Sequence, residues 1–295
     1  MPRPAKRPMV SVIIPHFNDQ RGLEICLRAL RRQEYPQELF EIIVADNGSA
    51  CGIAEVERVA GDKVRVVSVT EPGAGPARNG GAAVAQGEIL AFIDSDCVAE
   101  PGWIAAGVTA LADHDFVGGR VRVLTADPVR LTWTEAFERV FAFDFKNYIE
   151  KKGFSGAGNL LCPRALFNEV GGFKAGVSED VEWSRRATAM GFRLGYAPLA
   201  VVGHPARRTW SELKAKWRRV NRETYALAGH GRARLALLAR TFLLPASCVA
   251  HTPKVLWSPE LETVEQKLAA LGMLIRIRFW RMADMLGLFA NGGRT

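Results

Sequence analysis

The sequence of 295 residues has few cysteines, and none of them are spaced as a redox or zinc motif. The five cysteines are an odd number and lie far apart: Cys26, Cys51, Cys97, Cys162 and Cys248. A disulfide framework needs pairable cysteines, and a structural zinc site needs closely spaced ligands. The pattern therefore argues against both and is typical of a protein from a reducing compartment.

The chain also lacks an apolar run long enough to cross a bilayer. Residues 235–250 are apolar, but Arg240 and Pro245 interrupt them, and they fall short of the roughly 20 helical residues that a span needs. The basic, proline-rich residues 1–8 run directly into a strand pattern, without the separate apolar region of a signal peptide. We therefore expect a cytoplasmic protein, at most peripheral on the inner face of a membrane.

Acidic residues are scarce in the last third of the chain. Residues 204–295 hold 16 Lys+Arg and 6 Asp+Glu, a net charge of +10, whereas residues 1–203 hold 23 and 25, a net charge of −2. Hydrophobic residues make up 48% of the whole, an ordinary globular composition with material for a sizeable core. The basic end suggests an anionic partner such as phosphate groups, an acidic membrane surface or nucleic acid.

What the chain does contain is a series of apolar strand patterns that end in polar residues. The patterns at residues 10–15, 40–46 and 89–93 alternate with helical patterns, which predicts a parallel sheet covered on both faces. The polar strand ends are Phe17-Asn18, Asp46-Asn47 and Asp94-Ser95-Asp96. Because ligands bind beyond the carboxyl ends of such strands, we expect these ends to meet at one crevice.

Asp94 and Asp96 are the most informative pair. If the chain stays extended after the strand, both point to one side and repel each other unless a positive charge lies there. A divalent cation that carries a diphosphate would meet this need, because oxygen ligands suit Mg²⁺ and Mn²⁺. The alternative is a strand followed by a simple Asx-rich turn. A dinucleotide site is disfavoured, because the sequence that follows Gly73-Ala74-Gly75 lacks the third glycine of that motif.

Four motifs follow one another in the first hundred residues. They are Val-Ser-Val-Ile-Ile-Pro-x-Phe-Asn at 10–18, Ile-Val-x-Asp-Asn-Gly-Ser at 43–49, Gly-x-x-x-Ala-Arg-Asn-x-Gly at 73–81 and Gly-Glu-Ile-Leu-Ala-Phe-Ile-Asp-Ser-Asp at 87–96. In order and spacing they resemble the nucleotide-binding half of a family-2 glycosyltransferase with the GT-A fold. A Gly-Ala-Gly-Asn loop at 156–159, the acid pair at 179–180 and His204 extend the resemblance, which covers about residues 9–205.

The resemblance implies an α/β fold with a mixed, mostly parallel sheet flanked by helices. The catalytic domain would span 1–205, with a nucleotide-sugar half at about 9–100 and an acceptor half at about 101–205. Residues 206–295 would form a basic, amphipathic helical extension.

The implied activity is inverting, metal-dependent transfer of a sugar. The donor would be a nucleotide diphosphate sugar, with UDP as the expected nucleotide, and the cofactor Mn²⁺ or Mg²⁺. The acceptor would be a hydroxyl of a glycan or lipid-linked acceptor in surface polysaccharide or glycolipid assembly. No nucleic-acid partner is expected. The absence of Gln-x-x-Arg-Trp argues against a processive polymer synthase.

The resemblance also implies site residues. Asp94, Asp96 and His204 would serve the metal, and Pro15, Phe17, Asn18, Asp46, Arg78, Asp94 and Ser95 the nucleotide. Phe17 would stack on a uracil-type ring, and Asp46 would accept a hydrogen bond from its edge. Asp180, beside Glu179, would take the proton of the acceptor hydroxyl. Gly156, Gly158, Asn159 and Trp183 would contact the acceptor. Beyond the range of the resemblance, Arg219 or Arg222 in the basic segment could reach the diphosphate, or the segment could form a solvated basic face.

Each of these roles has a structural alternative. Phe17 could pack in the core, Arg78 could be a solvated arginine at a helix start, and His204 could be structural. Acids such as Glu179 and Asp180 are also favoured at a helix start without any catalytic duty. Two other activities stay open: a nucleotidyltransferase, which would leave the 179–180 pair without a role, and a non-catalytic sugar-nucleotide-binding subunit.

Residues 268–289 carry an apolar stripe at helical spacing: Leu268, Leu271, Ile275, Phe279, Met282, Leu286 and Phe289. Arginines lie off the stripe, so the segment predicts a basic amphipathic helix. It could contact an anionic membrane, pack on the catalytic domain or form a homodimer interface. Packing within the protein is favoured. Capping boxes at 132–135 and 209–212 predict two further helix starts, the first for a helix that runs to about residue 149.

Overall fold

The computed structural model describes residues 7–175 and 178–292. Most of the basic N-terminal stretch, residues 1–6, therefore lies outside the described residues. The chain forms two compact units: unit 1 comprises Met1–Arg122 and Phe143–His204, and unit 2 comprises Val123–Ala142 and Pro205–Thr295. The segment 123–142, which the sequence analysis assigns to the acceptor half, thus belongs with the C-terminal helices.

An eight-stranded mixed sheet forms the centre of unit 1 within the described ranges. In chain order the strands are β1 Val10–His16, β2 Phe40–Asp46, β3 Arg65–Ser68, β4 Ile89–Ile93, β5 Val98–Ala99, β6 Phe116–Leu124, β7 Asn159–Pro163 and β8 Leu194–Pro205. Their order across the sheet is β3-β2-β1-β4-β7-β6-β8-β5. The first four strands pair in parallel, whereas β7 is antiparallel to both β4 and β6. The predicted mixed, mostly parallel sheet is confirmed.

The helices connect these strands and form the C-terminal part. They are α1 Gln20–Leu30, α2 Ile53–Ala60, α3 Ala74–Ala83, α4 Trp103–Ala110, α5 Trp133–Phe141, α6 Phe145–Lys152, α7 Arg164–Val170, α8 Glu179–Ala189, α9 Trp210–Leu227, α10 Arg232–Phe242, α11 Ser247–Leu256 and α12 Val264–Ala290. The predicted helical C-terminal extension is confirmed.

Apolar clusters cover both faces of the sheet, as the uninterrupted apolar sequence of its central strands predicts. One cluster joins Val12 and Ile14 of β1 to Leu27 of α1. The other joins Ile13 of β1 to Trp183 of α8, which is fully buried. Helix α8 is therefore anchored by its middle to the sheet, and this anchor positions the acidic residues at its first turn.

The helix predicted from the capping box at residue 132 is interrupted. The capping box itself forms, but α5 ends at Phe141 and α6 begins at Phe145. Between them Phe143 has φ +54°, a left-handed conformation that is rare for a bulky residue. Its ring packs against the His204 imidazole with centroids 4.4 Å apart. The chain passes from unit 2 back to unit 1 at this break, which the helical periodicity of the sequence does not reveal.

The core of unit 2 forms between α5 and α12. Phe137 of α5 clusters with Ala270, Met273, Leu274 and Ile277 of α12. The buried face of α12 therefore differs from the apolar stripe that was predicted at residues 268–289.

In the predicted stripe of α12, three large side chains are exposed: Leu268, Ile275 and Phe279. Because α12 has apolar residues on more than one side, spacing alone could not select the packed face, and the alanines 269 and 270 allow the closer approach. Contact with a membrane or a second subunit through residues 268–289 stays a prediction.

No single helix among the described residues is both long and apolar enough to cross a membrane. On length and composition alone, α10 and α11 pass such a test together, as a pair bent by 59°.

A buried carboxylate organises the polar part of unit 2. Glu138 is fully buried and accepts hydrogen bonds from the backbone N–H of Arg207 at 2.8 Å and from its guanidinium at 2.9 Å. The Lys216 ammonium lies 3.3 Å away on the same carboxylate. Burial alone would raise the pKa of Glu138, but Lys216 and Arg207 outweigh it and lower the pKa below its usual value. This acid was not identified from the sequence.

We predict that Glu138→Ala destabilises the protein strongly, because it leaves two cations without their buried partner. The free energy of unfolding should fall by about 3–5 kcal/mol. The exposed Glu262→Ala, also in unit 2, is the control and should change it by less than about 0.5 kcal/mol. Urea denaturation measures both. Equal stability of the two variants would contradict a central role for Glu138.

Candidate active site

The ends of β1 and β2 lie side by side because the two strands pair in parallel register, His16 opposite Asp46. The Nδ1 atom of His16 lies 2.9 Å from Oδ1 of Asp46, and both side chains are buried. The Ser49 hydroxyl donates to the same carboxylate oxygen at 2.6 Å, and the Ser49 backbone N–H donates to Oδ2 at 3.1 Å. Burial alone would raise the pKa of Asp46, but the hydrogen bonds from Ser49 and His16 lower it. Asp46 is thus held as a carboxylate.

The loop after β1 presents an aromatic ring next to this carboxylate. Phe17 is 60% exposed, which excludes the core-packing alternative. Asn18, which has φ +54°, fixes the loop through two hydrogen bonds. Its side-chain oxygen accepts a hydrogen bond from the backbone N–H of Ala50 at 2.8 Å, and its backbone N–H donates one to the Ser49 hydroxyl at 2.9 Å. Pro15 is half-buried in β1. The exposed ring is therefore available to stack on a flat ligand.

Asp96 and His204 come together after β4 and near the end of β8. Their atoms Oδ2 and Nε2 are 3.4 Å apart, and together with Cys97 they form a group that could hold a metal ion. Burial raises the pKa of Asp96; His204 opposes this shift, and Asp94 adds to it. Burial also raises the pKa of the Cys97 thiol well above its usual value, so sulfur is a poor ligand here. The carboxylate oxygen suits Mn²⁺ and Mg²⁺, and the imidazole nitrogen makes Mn²⁺ the better match of the two.

Arg78 is buried between two carboxylates of the site. Its Nη2 atom lies 2.6 Å from Asp94 Oδ1, and its Nη1 atom lies 2.9 Å from Glu179 Oε1. Burial opposes the charged form, but Asp94 and Glu179 outweigh it and raise the pKa of Arg78. The solvated alternative for Arg78 is excluded. Its guanidinium is committed to these acids, so it joins the end of β4 to the start of α8.

Asp180 follows Glu179 in the first turn of α8. Burial raises the pKa of Asp180 above its usual value, and the charge of Glu179 adds to the shift. Its Oδ1 accepts from the backbone N–H of Val181 at 2.8 Å, so the residue also serves the helix start. A carboxyl with a raised pKa is a stronger base once deprotonated, which suits proton abstraction.

Two glycines allow the loop before β7 to approach the site. A Cβ atom on Gly158 would lie 2.5 Å from Asp94 Oδ2, and one on Gly156 would lie 2.6 Å from the Phe145 ring. Ser95 is half-buried between the two aspartates. The backbone of this loop therefore lies directly against the carboxylate of Asp94.

Asn159 and Trp183 have structural contacts in place of the expected acceptor contacts. Asn159 is fully buried; its amide donates to the carbonyls of Arg120 and Ala200 and accepts from the Trp103 indole. Trp183 is also fully buried and donates to the carbonyl of Gly171. Neither side chain is accessible, because the sheet and its covering helices enclose both.

Arg219 and Arg222 lie on α9 of unit 2. The Arg219 side chain is largely exposed and lies 3.8 Å from Glu223. A diphosphate role for these arginines stays a prediction.

Sequence reasoning missed His16 and Phe143 as members of the site. His16 could have been found from the strand pattern, because it occupies the last position of β1, opposite Asp46 at the end of β2. The contact of Phe143 with His204 has no sequence signal, because 61 positions that fold through several elements separate the two residues.

The fold and the carboxylates at its strand ends define a GT-A type domain. A solved mannosyltransferase from Pyrobaculum calidifontis, in complex with GDP-Man and Mn²⁺, is similar in fold with a TM-score of 0.56. The two share 23% sequence identity, and the match covers 97% of this chain and 87% of that one.

The chain belongs to glycosyl transferase family 2, whose family model matches residues 11–177. It is 34% identical over 219 residues to the glycosyltransferase AglE of Haloferax volcanii, a match that covers 72% of this chain and 71% of the relative. It is 28% identical over 237 residues to the pre-mycofactocin glycosyltransferase of Mycobacterium tuberculosis, covering 72% of this chain and 47% of the relative. The chain thus spans about half the length of the second relative.

We predict that Asp96→Asn and His204→Ala each weaken Mn²⁺ binding by more than about tenfold. Loss of a residue that only hydrogen-bonds to a metal ligand already lowers metal affinity by about tenfold or more, so loss of a ligand should lower it at least as far. Electron paramagnetic resonance of free Mn²⁺, with nucleoside diphosphate present, measures the change. His114→Ala is the control, since this histidine lies outside the cluster. Unchanged affinity in both variants would remove the metal role from Asp96 and His204.

Proposed function

We propose that this glycosyltransferase moves one sugar, with inversion, from a UDP-sugar to a hydroxyl of a glycan or lipid-linked acceptor. The observation that carries the proposal is the junction made by Arg78, which holds Asp94 on the donor side against Glu179, the neighbour of Asp180. A site for transfer needs donor and base within one rigid frame, because orientation supplies much of the rate.

The residues at the ends of β1 and β2 favour a donor whose nucleobase has a ring N–H. The carboxylate of Asp46 is an acceptor, and its Oδ2 carries one hydrogen bond from Ser49. Uracil and guanine present a ring N–H as a donor, whereas neutral adenine and cytosine present a bare ring nitrogen. Phe17 would stack on the base face. Uracil is the smaller of the two candidates and is the one we propose; guanine is the direct rival.

Asp96 and His204 would hold Mn²⁺ or Mg²⁺, with Asp94 close by. When bound, the ion supplies positive charge for the leaving diphosphate. Asp96 would contribute an oxygen ligand and His204 a nitrogen ligand. The partial burial of both side chains would strengthen their attraction for a cation.

Asp180 would act as the general base. Its carboxylate takes the proton of the acceptor hydroxyl while that oxygen forms a bond to the anomeric carbon, on the face opposite the diphosphate. The bond from the anomeric carbon to the diphosphate oxygen breaks, and its electron pair leaves with the diphosphate. The loop with Gly156 and Gly158 offers backbone for close contact with a sugar. The product would belong to surface polysaccharide or glycolipid assembly.

A panel of nucleotides tests the donor proposal. With Mn²⁺ present, UDP should raise the thermal stability of the protein, since a ligand at a hundredfold excess over Kd adds about 2.7 kcal/mol. ADP and CDP should have little effect. A larger shift with GDP would replace uracil by guanine.

The products separate the proposal from its two rivals. With UDP-sugar and acceptor, UDP should be released. Release of pyrophosphate from a nucleoside triphosphate and a sugar phosphate would instead indicate a nucleotidyltransferase. Donor binding without turnover on a broad set of hydroxyl acceptors would indicate a non-catalytic subunit.

We predict that Asp180→Asn lowers kcat by about 10²- to 10⁴-fold and leaves donor affinity unchanged. In the parent enzyme kcat/KM should rise with pH through the raised pKa of Asp180, because the base must be deprotonated. In the variant, the residual kcat/KM should no longer show this rise with pH. Glu182→Gln, on the same helix but paired with Arg186 and Lys174, is the control and should keep both rate and pH profile. Full activity of the Asp180→Asn variant would reject Asp180 as the general base.

A further inference from the structure

Helices α10 and α11 are apolar, yet they bury very little. Across residues 232–257, all of which the structure describes, two side chains are buried, Thr241 and Val255. The exposed large apolar side chains of this segment are Leu235, Phe242, Leu243, Val249, Leu256 and Trp257. Scattered apolar residues are normal on a protein surface, but such a concentration marks a contact site.

The same segment carries charge of one sign. Residues 224–259 contain no aspartate or glutamate, and they contain Arg232, Arg234, Arg240 and Lys254. Arg232, Arg240 and Lys254 are exposed. Arg234 lies 3.6 Å from the centroid of the Tyr225 ring and Lys254 lies 5.6 Å from that of the Phe141 ring, so both also have structural contacts. Apolar side chains interleaved with exposed cations are the composition of segments that lie in the interface of an anionic bilayer.

A second copy of the chain fits this surface poorly. A symmetric dimer places the same patch against itself, so the arginines and the lysine of one copy would face those of the other. The segment has no acid that could compensate them. Anionic lipid headgroups supply the missing negative charge, and the acyl boundary covers the apolar side chains.

We propose that the segment 232–257 docks the protein on a bilayer that carries anionic headgroups. The bend of 59° between α10 and α11, near Pro245, keeps the pair from forming one straight helix, which suits a position in the plane of the interface. Phe242 and Leu243, 59% and 63% exposed at the bend, enter the acyl boundary, and Arg232 and Arg240 contact headgroups.

Co-sedimentation of the full chain with lipid vesicles tests the proposal. The protein should bind vesicles of phosphatidylcholine that contain about one third phosphatidylglycerol, and binding should fall as salt rises from about 0.1 M to about 1 M, since the Debye length shrinks from about 10 Å to about 3 Å. Vesicle binding is measured without donor or acceptor, so a lack of binding would contradict the docking proposal and leave the proposed function untouched.

Two variants divide the apolar and the charged contributions. Phe242→Glu with Leu243→Glu should lower the partition coefficient by about tenfold or more. Arg232→Gln with Arg240→Gln should lower it by roughly 10- to 30-fold on anionic vesicles and leave it unchanged on neutral ones. Leu199→Glu, at an apolar side chain of unit 1 that is 78% exposed, is the matched control and should bind as the parent does.

Three results would overturn the proposal: no binding by the parent protein, equal binding to neutral and anionic vesicles, or unchanged binding by both double variants. A dimer in solution that the Phe242→Glu, Leu243→Glu variant abolishes, without vesicle binding by the parent protein, would assign the surface to a second copy. Circular dichroism of each variant verifies that the secondary structure is retained, which is expected because all five changed side chains are exposed.

Discussion

The arrangement of the site depends on one buried guanidinium, that of Arg78. It lies between Asp94 at the end of β4 and Glu179 at the start of α8, two elements far apart in the sequence. Both carboxylates would repel each other without it, and a buried charge that loses its partner is costly. The Trp183 anchor fixes the middle of α8, and Arg78 fixes its first turn. Together they determine where the carboxyl of Asp180 lies.

The carboxyls of the site differ in environment, and this difference is consistent with the separate roles that we propose for them. Hydrogen bonds from Ser49 and His16 hold Asp46 below its usual pKa, whereas burial raises the pKa of Asp96 and of Asp180. A carboxyl with a lowered pKa suits acceptance of a hydrogen bond from the edge of a nucleobase. A carboxyl with a raised pKa suits either of two roles. It can be a metal ligand, whose negative charge the cation compensates, or a general base, which accepts a proton. Environments that push apart the pKa values of like groups are a general mark of assigned roles.

Much of this could be predicted from the sequence, because apolar runs and polar strand ends are local signals. The sheet class follows from them, whereas the roles of Phe17, Asp96 and His204 were implied by the family resemblance. What could not be predicted depends on partners distant in the chain. The burial of Asn159 requires the Trp103 indole and the carbonyls of β6 and β8, and the packed face of α12 requires α5. The pairing of Arg78 with Glu179 joins positions 101 residues apart.

Because unit 2 is built from two separate stretches of chain, its assembly has an order in time. During synthesis α5 emerges before the last strands of unit 1, and its core partner α12 emerges after them. Domains generally fold from the N-terminus as they leave the ribosome, and exposed apolar surface invites misassembly meanwhile. The face of α5 with Ala136, Phe137 and Val140 must therefore wait uncovered. A nascent chain halted before residue 264 would contain every segment of unit 1 but would lack α12, the helix that covers this face of α5.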